Sequence, residues 1–131
     1  MGAWGEGVLE NDAALDWLGD LEDQPQLETV TIALSVAADG DDYLDSDDGS
    51  AALVAAEIVA ARLGRPVKEP DGRLAALAQR WPELSDHAAL ATRAVERVGD
   101  AERSELADLW AEAENDEWPR GVADLRARLG G

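Results

Sequence analysis

The chemistry open to this chain rests almost entirely on carboxylates. Between residues 39 and 48 the sequence reads DGDDYLDSDD, which puts Asp39, Asp41, Asp42, Asp45, Asp47 and Asp48 in one short stretch. Hard oxygen ligands of this kind suit Ca²⁺ or Mg²⁺, and Asp45, Asp47 and Asp48 are the candidate metal ligands. The spacing is not that of an EF-hand. Counted from Asp45, Asp47 takes the third place, but Gly49 falls at the fifth, Ser50 at the sixth and Ala56 at the twelfth. Those places call for a ligand, a glycine and a glutamate. The competing reading is a solvated loop whose last aspartates cap the next helix and favour its positive end. On that reading no cofactor is needed.

Glu57 is the second candidate. It interrupts an otherwise apolar run, AALVAAEIVAA, and a carboxylate in such a place must be paired or protonated. One reading makes it a buried functional acid, perturbed for acid or base work in a pocket. The other makes it structural, paired with an arginine or hydrogen-bonded to an indole such as that of Trp4 or Trp17. His87 is the sole histidine and there is no cysteine. Disulfides, thiolate metal sites and two-histidine chemistry are therefore excluded. Ser85 lies close to His87, but no nucleophile motif surrounds them, and no glycine-rich phosphate loop is present.

Charge is distributed as unevenly as it is abundant. The formal net charge is −18, and no lysine or arginine precedes Arg62. Residues 1 to 61 hold 15 of the 29 carboxylates, while all 11 basic residues fall in 62 to 131 beside 14 acids. The two parts thus carry −15 and −3, and nucleic acid or an anionic membrane would be repelled. Asp12, Asp16 and Asp20 stand at i, i+4 spacing, which costs a few tenths of a kcal/mol per like-charged pair in a helix. Such a row is either merely solvated or covered by a basic partner. On the second reading Asp12, Asp16, Asp20, Asp41, Asp42 and Asp45 form the partner-binding set.

Alanine and leucine dominate, phenylalanine is absent, and β-branched residues are sparse outside Thr29 to Ile32, so the fold expected is all-α. Residues 1–131 read as one domain of six or seven helices: an acidic part, 1–61, and a mixed-charge part, 62–131, sharing one core. The first helix starts at Asn11 or Asp12, both good N-caps, and turns Ala14, Trp17, Leu18 and Leu21 to one face. The second follows Pro25 with Leu27, Val30, Leu34 and Ala37 inward. After the acidic loop, a helix over about 50–63 is apolar nearly all round and must be central. It ends at Gly64 with Pro66 behind. A short helix through Leu74 and Leu77 reaches Trp81. The next is capped by Ser85 or Asp86 and buries Leu90, Ala91, Ala94, Val95 and Val98. Another carries Leu106, Leu109, Trp110 and Ala113, and the last presents Val122, Leu125 and Leu129. The tryptophans read as core, with Trp118, beside Pro119, the one expected at the surface.

The opening stretch, MGAWGEGVLENDAALDWL, places Trp4 seven residues ahead of the first helix cap. Glycines at 2, 5 and 7 would let the backbone bend around that indole, so Trp4 is expected to plug the core. Gly2-Ala3-Trp4-Gly5-x-Gly7 followed by Asn11-Asp12-x-Ala14-x-Asp16-Trp17 resembles the opening of a bacterial family of small domains of unknown function. Val8-Leu9-Glu10 departs from the Phe-Asp found there, with Leu9 expected to fill the hole of the missing ring. The likeness continues at Tyr43-Leu44, at Ala55 to Ala60, and at Ser104-Glu105-Leu106 with Leu109-Trp110. The resemblance implies a small domain and transfers no catalytic residue.

No apolar run approaches the roughly 18 residues of a membrane span, and no secretory pattern opens the chain. The expectation is a soluble cytoplasmic protein. Two functions remain open. The first is an acidic interaction protein, of the inhibitor or immunity type, acting on a basic protein partner. The alternative is a small metal-dependent or acid/base enzyme using Glu57 or the aspartates of 39–48. The lack of a nucleophile motif and of paired histidines favours the first.

Overall fold

The computed structural model describes residues 12–40, 43–66, 72–112 and 117–130. Its elements are α1 (Asp12–Asp23), α2 (Leu27–Asp39), α3 (Ser46–Arg62), α4 (Arg73–Ala78), a 3₁₀ helix (Pro82–His87), α5 (Ala88–Val98), α6 (Glu105–Glu112) and α7 (Glu117–Arg128). No strand occurs among the described residues. A single parallel bridge joins Leu44 to Ser104. The fold is all-α, as composition and periodicity imply.

Helix α3 is the axis. Every residue from Gly49 to Ala60 is buried, and α3 packs against each of the other helices. Its alanines permit that approach: Ala52, Ala55, Ala56 and Ala60 are fully buried and leave room for neighbouring backbones. The helix starts at Ser46, four residues earlier than the sequence suggests, so the acidic segment is partly helical rather than a loop to residue 50. Asp45 is the reason. Its backbone is extended and its carboxylate accepts from the Asp48 amide at 2.8 Å, an N-cap. Glu105 of α6 completes the start by accepting the Ser46 amide at 2.8 Å. At the other end Gly64 has φ +83°. The Gly64 amide donates to Ala61 and the Arg65 amide to Ala60, closing the helix in a Schellman turn before Pro66.

The other helices bring one face each to this axis. From α1 come Ala14, Leu18 and Leu21, from α2 Val30, Leu34 and Ala37, and from α5 Ala91, Ala94, Val95 and Val98. Trp17, Leu27 and Leu90 pack half-buried at the edges of that core. Four expectations are corrected. The short helix through Leu74 and Leu77 ends at Ala78, short of Trp81. Neither Ser85 nor Asp86 caps α5. A 3₁₀ turn begins at Pro82 instead, whose ring suits a first helical position, and the Ser85 hydroxyl donates back to the Pro82 carbonyl. Leu109 faces outward at 42% exposure. Trp118 is buried and lies nearly parallel to Trp110, 6.3 Å between ring centroids. The place of Trp4 lies outside the described residues. Among the described residues no helix is long and apolar enough to cross a membrane.

Candidate functional site

Among the described residues, three carboxylates of the acidic part are tied to arginines of the other part. The strongest tie is Glu57 to Arg128. Glu57 is 2% exposed at the middle of α3, and Arg128 lies at the end of α7. The guanidinium donates to Oε1 at 2.6 Å and to Oε2 at 2.9 Å, a two-pronged pair. Arg128 also donates to Asp124 at 2.7 Å and to the Arg65 carbonyl at 3.2 Å, while Arg65 returns a bond to the Arg128 carbonyl at 3.1 Å. Hydrogen bonding to Glu57, opposed by burial and aided by Asp124, raises the pKa of Arg128 still further above its ordinary range. Of the partners considered for Glu57, an arginine is therefore one it has. The arrangement clamps α7 onto the axis.

The second tie is Glu22 on α1, held by Arg73 at 3.0 Å and 2.5 Å through both guanidinium prongs. That hydrogen bond lowers the Glu22 carboxyl below its usual value. The third, Asp39 to Arg93 at 3.2 Å, is largely exposed. Nearby, Arg97 is buried and serves backbone: it donates to the carbonyls of Ala37, at 3.2 Å, and of Gly40. The last turn of α2 leaves such carbonyls unpaired, so a cation here also meets the negative helix end. A Cβ on Gly40 would stand 2.7 Å from the Val36 carbonyl and 3.2 Å from the guanidinium, which explains the glycine.

The remaining acids of this part behave differently. Asp12, Asp16, Asp20, Asp23, Glu28, Asp45, Asp47 and Asp48 are all exposed, and among the described residues none forms an ion pair. Asp12, Asp16 and Asp20 follow one another up the outer side of α1, while Asp45, Asp47 and Asp48 surround the start of α3. Burial, with the charges of Asp45 and Asp47, raises the Asp48 carboxyl above its usual value. Asp41 and Asp42 lie outside the described residues. Among the described residues no three carboxylates or imidazoles are grouped to hold a metal ion, and Asp45 spends one oxygen on its cap. His87 ends the 3₁₀ helix with Nδ1 against the Glu83 carbonyl at 3.1 Å.

Sequence reasoning missed one feature of this region. On α2, Thr29, Ile32, Ala33 and Val36 share a second side, distinct from the buried stripe, at i, i+3, i+4, i+7 spacing. Ile32 is 61% and Val36 43% exposed. With Trp17 of α1 and Ala51 and Asp48 of α3 they line an open groove of about 270 Å³. The available signal was the helical spacing of Thr29, Ile32, Ala33 and Val36 beside the inward stripe.

An all-helical domain with a central alanine-rich helix and a carboxylate-bearing outer side is the class these features define. The chain belongs to the family described as domain of unknown function DUF4259, whose family model matches residues 2–120. No curated protein and no solved structure matches it.

Proposed function

We propose that this domain is a soluble, cytoplasmic bacterial binding protein that takes a basic protein as partner, in the manner of an inhibitor or immunity protein. One observation carries the reading. Eight carboxylates on α1, the start of α2 and the start of α3 face solvent with no ion pair among the described residues. Among the described residues, the arginines of the second part that reach the acidic part pair with Glu22, Asp39 and Glu57 instead, and Arg103 and Arg126 pair with Asp100 and Glu96 of their own part. A side of that kind accelerates encounter with a cationic surface and sets specificity by charge. A toxin-like gene beside this one would fit the same reading.

The test is retention by the immobilised domain, taken at low and at high salt. The expected result is a basic protein held at low salt and released at high salt. A triple variant, Asp12→Asn with Asp16→Asn and Asp20→Asn, is expected to retain less of it. Retained proteins that are not basic, or that ignore salt and the triple variant, would refute the reading.

A further inference from the structure

The groove between α1, α2 and α3 combines two properties. Its floor is apolar, set by Trp17, Ala33 and Ala51, and its outer wall is the exposed pair Ile32 and Val36. One acid, Asp48, is part of its lining, and two more exposed acids stand one helical turn from lining residues. Asp20 stands one turn from Trp17 on α1, Glu28 one turn from Ile32 on α2, and Asp48 lines the groove on α3. Among the described residues none of these three forms an ion pair.

We propose that this groove is where the basic partner docks. The occupant is an amphipathic segment that seats apolar side chains along Ile32 and Val36 and brings arginine or lysine to Asp20, Glu28 and Asp48. The inference rests on the reading of a basic partner given above and adds the surface and the partner's pattern. The chemistry selects this occupant over others. An apolar row at i, i+3, i+4, i+7 is the register that a facing helix reads. A second copy of this chain would bring the same carboxylates against each other and be repelled. The residues ahead of Asp12 carry Glu6 and Glu10 and no lysine or arginine side chain, so they offer this rim no complementary side chains. A cationic segment alone satisfies both floor and rim. It would also bring positive charge to Asp48, whose carboxyl is raised by burial and, after that, by the charges of Asp45 and Asp47.

The probe is an 18-residue helical peptide of leucine and lysine in amphipathic register, compared with a peptide of equal composition whose register is scrambled. Binding to the full chain is measured by calorimetry. The amphipathic peptide is expected to bind at least tenfold more tightly. Ile32→Ser and Val36→Ser are each expected to remove most of that difference while leaving the helical circular dichroism and Tm of the free protein unchanged. Equal binding of both peptides, unaffected by either substitution, overturns the groove but leaves a basic-partner surface standing. Binding of neither peptide removes both. A fall in Tm of the free protein on Ile32→Ser means that the chain's own residues already cover the row, and a dimer lost on that substitution means that a second copy does. Either result overturns the proposal.

Discussion

Removing the guanidinium from Arg128 should be the most damaging single change to the ties between the two parts. Glu57 is 2% exposed and Arg128 covers both its oxygens, at 2.6 Å and 2.9 Å. Arg128→Ala leaves that carboxylate buried without its principal cation, a change that costs about 3–5 kcal/mol. In a domain of this size each kcal/mol lowers Tm by about 3–5 °C, so the expected fall is on the order of 10–20 °C. Glu57→Gln is the milder partner. It keeps the volume and one acceptor, leaves Arg128 with Asp124, and should cost only about 1–3 kcal/mol. Replacing both together, Glu57→Leu with Arg128→Leu, should cost less than Arg128→Ala alone, because the stranded charge is gone. Urea and thermal melts followed by circular dichroism at neutral pH give all three values, and Glu57→Leu and Arg128→Leu measured singly close the double-mutant cycle. A Tm change under about 3 °C for Arg128→Ala, less than one kcal/mol on the same scale, would refute the clamp. So would a double variant as unstable as the two single losses added.

Three further outcomes follow from the same geometry. Arg97→Met should destabilise by about 1.5–3 kcal/mol through loss of charged hydrogen bonds to Ala37 and Gly40, and amide exchange should rise first at the end of α2. Tyr43 is the only tyrosine and its phenol is raised by desolvation and by Asp108, Glu105 and Glu112. An absorbance titration should therefore place it above a free tyrosine, with the gap narrowing in high salt as those charges are screened. Glu22 has a lowered carboxyl because of Arg73, so its contribution is complete above the ordinary carboxylate range and is lost as pH falls through the lowered value. Arg73→Gln should flatten that acid limb in a pH series of urea midpoints, by no more than about 1 kcal/mol for so exposed a pair.

What the sequence made legible was burial, and what it hid was pairing. Residues 50 to 60 are apolar on every side of a helix, and only a central position hides such a surface. The start of that helix was less plain. Asp47 and Asp48 read as loop, and the Glu105 carboxylate that caps Ser46 comes from 59 positions away. Glu57 announced that it needed a partner, but its partner lies 71 positions on, and no local pattern separates Arg128 from the other arginines. Arg97 gave no signal, since its acceptors are main-chain carbonyls that every sequence possesses. Trp118 looked exposed because of Pro119. That proline instead occupies the first turn of α7, where its missing amide is harmless, and the indole turns inward to Trp110. The groove was obscured because one inward stripe accounts for α2, while Thr29 and Ile32 belong to an outward row beside it.

The two kinds of carboxylate in the acidic part should respond to salt with opposite signs, which gives a means of weighing them. Glu22 and Asp39 hold arginines at 2.5–3.2 Å across exposed contacts, and added salt weakens such pairs. Glu57 is too deeply buried to be screened much. Against these stand the exposed acids that form no ion pair among the described residues, in a chain of net charge −18. Their mutual repulsion acts over a Debye length of about 30 Å at 10 mM salt and only about 8 Å at 150 mM. If the fold has little use for these acids, screening them removes more cost than screening two surface ties forfeits. The Tm of the free protein should then rise as sodium chloride increases from 10 to about 150 mM, within the range where the Debye length shrinks most. The association rate with a cationic probe should fall over the same interval. A Tm that falls instead would mean that these carboxylates are already balanced within the chain, and their service to a partner would lose its physical basis.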